Sequence, residues 1–253
     1  MDKKYILITG ATSGFGKACA KKFAQQGRSM VITGRRNDRL LALSLELTSK
    51  YEVEVLPCCF DVRHFSEVKK AIGELGEKVL KNIDVLINNA GLAVGKGSIE
   101  NGVLDDWDRM LDTNVKGLLN VSKVVIPLLK EGSTIINIGS IAGKEVYPGG
   151  NVYCASKHAV DALTQGMRID LVGKGIRVGQ IAPGAAETEF SEVRFKGDKK
   201  TAKSVYDGFE PLIGEDIADA AWFMISRPKH VCINDMVIMP TAQASAQVIH
   251  KKV

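Results

Sequence analysis

Residues 5–27 read YILITGATSGFGKACAKKFAQQG, and this stretch decides the fold. Residues 5–9 are a short apolar run of the buried-strand type, and a helical pattern starts near Gly14. Gly10, Gly14 and Gly16 fall in the turn between them. Glycine lacks a Cβ, so such a turn can bend sharply and bring its backbone against a phosphate, while the following helix offers unpaired N–H groups and the positive end of its dipole. A pyrophosphate suits that turn. Its spacing, G-x-x-x-G-x-G, differs from the commoner G-x-G-x-x-G and needs support from the rest of the chain.

The alternation that follows supplies it. Further strands are expected at about 29–33, 53–58, 84–87, 133–139, 176–182 and 232–239, and helices at about 37–50, 66–80, 104–128, 151–173 and 214–225. Short apolar runs alternating with long amphipathic ones are the βαβ signature, so the expected fold class is α/β: a Rossmann-type, doubly wound, seven-stranded parallel sheet with helices on both faces. No stretch reads as a linker, and residues 1–253 are expected to form one domain. Residues 184–209 are polar and long for a connection in this fold, which makes about 185–210 a candidate lid. The tail at about 240–253 has no periodicity and is expected to fray or to pack on a neighbour.

With 253 residues, 45% hydrophobic and 25% charged, the chain can bury a substantial core and has an ordinary soluble composition. No apolar run is long enough to span a membrane, and MDKKYILITG passes straight into the first strand, so neither an anchor nor a secretory leader is expected. Cys19, Cys58, Cys59, Cys154 and Cys232 are odd in number and lack ligand spacing, as expected of reduced thiols in a cytoplasmic protein. His64, His158, His230 and His250 are scattered, which argues against a metal site. The formal charge of +5 is spread among acidic residues, so an anionic cofactor or substrate is expected and a nucleic-acid partner is not.

Thr33, Gly34, Arg35 and Arg36 end the second strand. An NAD-binding fold usually puts a carboxylate there for the ribose, whereas glycine followed by two guanidinium forks suits a 2′-phosphate, so NADP(H) is expected over NAD(H). Asp61 and Val62 follow the third strand, where a carboxylate can meet an adenine amine. In Asn88-Asn89-Ala90-Gly91, after the fourth, the amides can tie strand ends together and the small residues let backbone approach a nucleotide.

The chemistry concentrates in Ser140, Tyr153 and Lys157. Tyr153 and Lys157 are four apart on one helix face, and Ser140 lies at the carboxyl end of a strand, where open α/β sheets bind ligands. A phenol is a poor acid or base near neutrality unless its phenolate is stabilised, which a nearby ammonium does. The serine hydroxyl can hold a substrate oxygen. These are the parts needed to move a proton on or off an alcohol while a nicotinamide moves hydride. Asn114 can bind a backbone carbonyl or a water leading to Lys157, and Gly149 and Gly150 either leave space near the catalytic oxygen or serve the loop's conformation.

On these residues the chain resembles the short-chain dehydrogenase/reductase family over essentially its full length. The marks are Thr9-Gly10-Ala11-Thr12-Ser13-Gly14-Phe15-Gly16, Asn88-Asn89-Ala90-Gly91, Asn114, Ser140, Tyr153, Lys157 and Pro183-Gly184 with Thr188. The resemblance implies a catalytic set of Asn114, Ser140, Tyr153 and Lys157, acting between C4 of the nicotinamide and a carbinol or carbonyl carbon. It implies cofactor contacts from Gly10, Thr12, Ser13, Gly14, Phe15 and Gly16, from Arg35 and Arg36, from Asp61, Val62, Asn88, Ala90 and Gly91, from Tyr153 and Lys157, and from Pro183, Gly184 and Thr188. It also implies a homotetramer built partly by the helices bearing Asn114 and Tyr153.

The stretches TGRRNDRL, NIDVLINNAGLA, INIGSIAG, GGNVYCASKHAV and ETEFSEVRFKGD look like the NADP-dependent serine and 3-hydroxy acid dehydrogenase branch. That implies L-serine, L-allo-threonine or 3-hydroxypropionate-like acids, or the matching semialdehydes, and some relatives reduce sulfoacetaldehyde. Ala182 and Ala186, expected beside the nicotinamide, differ from the acidic residue and the valine common there. In the lid, Arg194 is available to clamp a carboxylate, or else to pin the lid to the body; a fatty or steroid substrate would call for an apolar lid. A small anionic substrate held by Ser140, Tyr153 and Arg194 is the expectation. A reductase of larger or carrier-bound ketones and a non-catalytic NADP-binding scaffold are the competing classes.

Overall fold

In a computed structural model, residues 3–252 are described; Met1, Asp2 and Val253, the outermost residues of the expected domain, lie outside them. The strands are β1 (Tyr5–Ile8), β2 (Ser29–Gly34), β3 (Val55–Cys59), β4 (Ile83–Asn88), β5 (Thr134–Ile138), β6 (Arg177–Pro183) and β7 (Asp235–Ile238). They form one sheet in the order β3-β2-β1-β4-β5-β6-β7, every neighbouring pair parallel. The winding reverses between β1 and β4, which opens a crevice at their carboxyl ends.

The helices are α1 (Gly14–Gln25), α2 (Asn37–Tyr51), α3 (Phe65–Gly73), α4 (Glu77–Leu80), α5 (Leu104–Leu111), α6 (Gly117–Val125), α7 (Asn151–Leu171), α8 (Glu189–Arg194), α9 (Lys199–Ser204) and α10 (Gly214–Ile225). Side chains alternate across a strand, so Ile6 and Ile8 of β1 pack with α1, α2 and α10 while Tyr5 and Leu7 pack with α3, α6 and α7. Burial on both faces is why the inner strands are continuous apolar runs, whereas the edge strands β3 and β7 are partly exposed.

Two expected helices are interrupted. The stretch 66–80 divides into α3 and α4 at Gly73 and Gly76, the latter at φ +77°, a left-handed conformation that no continuing helix adopts. The stretch 104–128 comprises α5, a π turn (Asp112–Lys116), α6 and a 3₁₀ turn (Ile126–Leu128) around Pro127, which has no N–H to continue the ladder. The tail corrects another expectation, because its described part packs on its own chain. Ala246 N–H donates to Glu145 Oε2 (2.8 Å), Gln247 Nε2 to Val146 O (2.9 Å) and Lys252 N–H to Gly208 O (2.8 Å), so the tail joins the loop before α7 to the lid. Among the described residues no helix is long and apolar enough to cross a membrane.

Candidate active site

A cleft of about 590 Å³ opens along the carboxyl ends of the strands, from the glycine turn to the lid. Its nucleotide end is shaped by backbone. Gly10 has φ +68°, and a Cβ there would lie 3.0 Å from both Ala90 Cα and Asn89 Nδ2. A Cβ on Gly16 would lie 2.5 Å from Gly10 O and from Asn89 Nδ2. The turn is thus pressed onto the end of β4 and fastened there: Asn89 Nδ2 donates to Thr9 O (2.8 Å), and the Thr9 hydroxyl accepts from the N–H groups of Asn89 and Ala90, each at 2.9 Å.

Two residues expected at the cofactor stand behind this wall. Gly16 packs the turn and does not line the cleft, and the Asn88 side chain points into the core, donating to Ser122 Oγ (3.1 Å) and Asn137 Oδ1 (2.9 Å). Asn89 lines the cleft instead, beside Ala90 and Gly91. The N-terminus of α1 carries no side-chain cap and no acidic residue, and the Ser13 hydroxyl accepts instead from Arg36 Nη2 (2.9 Å). Orphan N–H groups of a helix, opening on a wall free of Cβ atoms at Gly10 and Gly14, fit an anionic diphosphate.

Arg35, Arg36, Asp61 and Val62 also line the nucleotide end. Gly34 stands where a carboxylate is usual because a Cβ would meet Thr12 Cγ2 at 2.9 Å. Arg36 donates to Thr12 Oγ1 through Nε (3.2 Å) and Nη2 (2.9 Å), and through Nη1 to Glu189 Oε2 (2.9 Å). Arg39 donates to the other oxygen of Glu189 (2.7 Å). Burial works against the charge of Asp61, but the fork of Arg63, with Nη2 at 2.7 Å, holds its carboxyl below the ordinary range. Pro183, Gly184, Ala186 and Thr188 border the middle of the cleft, and Ala182 does not, being fully buried in β6.

Ser140, Tyr153 and Lys157 come together further along the same cleft. Lys157 Nζ donates to Ile138 O (2.9 Å), and burial lowers its pKa to about 8. Burial, with the Tyr147 phenol, pushes Tyr153 above its ordinary value, while the Ser140 hydroxyl and Arg194 pull it down. A second cation, the Arg194 guanidinium, lies over the Tyr153 ring with Cζ 5.9 Å from the centroid. Asn114 lies in the π turn and outside the cleft lining. Its amide clamps Leu92 from both sides, accepting from Leu92 N–H and donating to Leu92 O, both at 2.8 Å, so Leu92 O is a backbone carbonyl of the kind expected for it. A π turn carries an extra residue, which turns this side chain out of the regular helical pattern.

Side chains not foreseen in the sequence complete the substrate end. Arg194 also lies over the Tyr147 ring (5.3 Å from Cζ to the centroid), Phe190 packs on Tyr153 (5.6 Å between centroids), and Gln243 Oε1 accepts from Ala185 N–H (2.7 Å). Gly150 has no side chain because a Cβ would fall 2.1 Å from the Tyr147 ring, and Gly149 serves the backbone at φ +73°. The first of these was legible as a glycine pair after an aromatic residue; the others had no local signal.

A switch-point crevice that leads from an uncapped helix N-terminus to a Ser-Tyr-Lys cluster defines a dinucleotide-dependent oxidoreductase. The family model described as short chain dehydrogenase matches residues 4–199, and the chain belongs to that family. It is 45% identical over 242 residues to sulfoacetaldehyde reductase 2 of Chromohalobacter salexigens, covering 94% of this chain and 95% of that protein. It is 41% identical over 255 residues to the NADP-dependent 3-hydroxy acid dehydrogenase of Schizosaccharomyces pombe, covering 100% of this chain and 98% of that one. The closed form of a serine dehydrogenase complexed with NADP+ superposes with a TM-score of 0.89 at 39% identity, covering 98% of this chain and all of that one.

Proposed function

We propose that this protein is an NADP(H)-dependent oxidoreductase acting between a short 3-hydroxy acid of the L-serine, L-allo-threonine or 3-hydroxypropionate type and the matching semialdehyde. The relatives named above support the reaction and the cofactor. The observation that carries the substrate class is Arg194: its guanidinium lies over the Tyr153 ring on the cleft wall, and its Nε is buried without a hydrogen-bond partner. A carboxylate one methylene from the reacting carbon can meet that guanidinium while its oxygen meets Tyr153 and Ser140.

When bound, the nicotinamide accepts or supplies the hydride. Tyr153 moves the proton to or from the substrate oxygen, and burial keeps its phenol neutral, the form that donates a proton in reduction. Ser140 holds the same oxygen. Lys157 and Arg194 bring positive charge to the cluster as the phenolate forms, and Asn114 acts at one remove by fixing the Leu92 backbone on which the cleft wall depends. A sulfonate would offer Arg194 an equivalent anchor, and the similarity to a sulfoacetaldehyde reductase favours testing it.

Steady-state kinetics on matched charged and neutral aldehydes, with both nicotinamide cofactors, tests the reading. Arg194→Ala is expected to lose roughly 10- to 150-fold in kcat/KM on malonic semialdehyde or L-serine, the scale of one charge-assisted contact, and little on a neutral aldehyde. Equal loss on both would make Arg194 a lid-pinning residue. Exposed Leu104, Leu111 and Leu119 of α5 and α6, with Ile169 of α7, support a homotetramer joined through these helices, which a solution mass measurement checks. The five free cysteines support a cytoplasmic location.

A further inference from the structure

We infer that Glu189, the first residue of α8 in the lid, is a resident carboxylate that occupies Arg36 of the 2′-phosphate site together with the neighbouring Arg39, and must give way when the phosphorylated nucleotide binds. The inference rests on the NADP(H) reading above and concerns what this chain does before and during that binding.

The donors of Arg36 are already engaged. Its Nε and Nη2 reach Thr12 Oγ1, Nη2 also reaches Ser13 Oγ, and Nη1 reaches Glu189 Oε2 at 2.9 Å. Arg39, two residues into the next helix and with no other role in the site, holds the second carboxylate oxygen at 2.7 Å. Two guanidinium groups on the two oxygens of one anion is the arrangement a phosphate monoester would adopt. The three acceptors around Arg36 differ in what they can do when such an anion arrives. Thr12 and Ser13 carry hydroxyl protons and can turn to donate to it, so they remain as partners. Glu189 has no proton to offer and carries the same sign of charge, so it is the partner that leaves. A phosphate brings about two negative charges and three acceptor oxygens against the carboxylate's one charge, which decides the exchange.

The exchange reaches the chemistry because of where Glu189 sits. Thr188 caps α8, its hydroxyl accepting from Phe190 N–H (3.2 Å), and its Cβ and methyl lie 3.4 and 3.6 Å from where a Cβ of Gly14 would be. Phe190 packs on Tyr153, and Arg194, at the end of the same six-residue helix, lies over the rings of Tyr147 and Tyr153. Release of Glu189 therefore frees the turn that carries both contacts to the substrate end. An unphosphorylated nucleotide leaves the clamp shut. Glu189 thereby opposes the phosphorylated cofactor at the moment of binding, and its two arginines favour that cofactor afterwards.

The test uses 2′,5′-ADP and 5′-AMP as probes, titrated calorimetrically into the full-length protein and into Glu189→Gln, which keeps the shape and removes the charge. Glu189→Gln is expected to bind 2′,5′-ADP roughly three- to ten-fold more tightly, the scale of two half-exposed ion pairs, and 5′-AMP unchanged. Hydrogen exchange adds a readout independent of affinity: in the unmodified protein 2′,5′-ADP should raise exchange in residues 189–194, and 5′-AMP should not. Equal or weaker binding of 2′,5′-ADP by Glu189→Gln, or slower exchange in 189–194 on its addition, would overturn the inference and make Glu189 a clasp that closes over the nucleotide. If the unmodified protein and Glu189→Gln both fail to distinguish 2′,5′-ADP from 5′-AMP, the NADP(H) reading itself fails, and the inference with it.

Discussion

The nucleotide end of the cleft is made of backbone close to β1 and β4, whereas the substrate end is made of side chains from the loop before α7, the lid and the tail. At the first, Gly10, Gly16 and Asn89 interlock at distances that leave no room for a methyl group. That wall is complete once the sheet has formed, although Glu189 of the lid reaches Arg36 beside it. At the second, Tyr147, Tyr153, Phe190, Arg194 and Gln243 meet only while the lid is docked, and the lid is held by a few contacts: Gly95 N–H to Arg194 O (3.0 Å), Tyr206 Oη to Ala186 O (2.6 Å) and Lys196 Nζ to the buried Asp106 (2.7 Å). A rigid wall that takes the common cofactor and an assembled half that chooses the substrate are joined through Glu189, and how far they can be altered separately can be tested.

The largest effect is expected from Tyr153→Phe. It removes the transferable proton and keeps the ring against Phe190, so turnover should fall by about 10²-fold or more while 2′,5′-ADP still binds as before. Turnover within a few-fold of the unmodified protein would move the chemistry away from the assembled half.

Lys157 lies where the halves meet, and its effect is on stability against pH. The folded chain releases the proton near pH 8, the unfolded chain only near the ordinary lysine value of 10.5. Between those values the unfolded state binds more protons, so this group's contribution to stability rises with pH by something on the order of 3 kcal/mol, and below pH 8 the cost of burying the ammonium is present in full. Denaturant unfolding from pH 7.5 to 10.5 should therefore show a rise in the unmodified protein that is missing in Lys157→Met. Parallel curves would mean that the ammonium is not desolvated.

The smallest effect is expected from Gln243→Ala. Losing the bond to Ala185 N–H loosens the lid's first residue, so KM for the acid should rise roughly three- to ten-fold with 2′,5′-ADP affinity unchanged. A matching loss of 2′,5′-ADP affinity would show that the two halves are one mechanical unit.

The same division governs what the sequence reveals. The strands and the glycine turn are legible because burial on both faces writes continuous apolar runs, and Tyr153 with Lys157 because a spacing of four is a helix face. Asn88 and Asn89 are adjacent amides with opposite fates, since alternation along β4 sends the first inward; the pair alone does not say which one reaches the cleft. The break at Gly73 and Gly76 is hidden because a glycine inside an amphipathic pattern is compatible with a continuous helix. Arg39 and Glu189 are separated by 150 residues, and Ala246 and Glu145 by 101, so only tertiary structure pairs them.

The π turn between α5 and α6 has a further meaning as a length variation. One residue more than a regular helix needs is inserted there, and the helices on either side keep their buried faces, α5 through Met110 and α6 through Leu118, Val121 and Val125. Deleting a single residue within 112–116 would rewind the segment into an uninterrupted helix and leave the downstream packing in phase. Such a shortened chain should fold with its hydrophobic layers intact yet lose the clamp on Leu92, so the site's positioning here depends on the count of residues in the helix as much as on their identity.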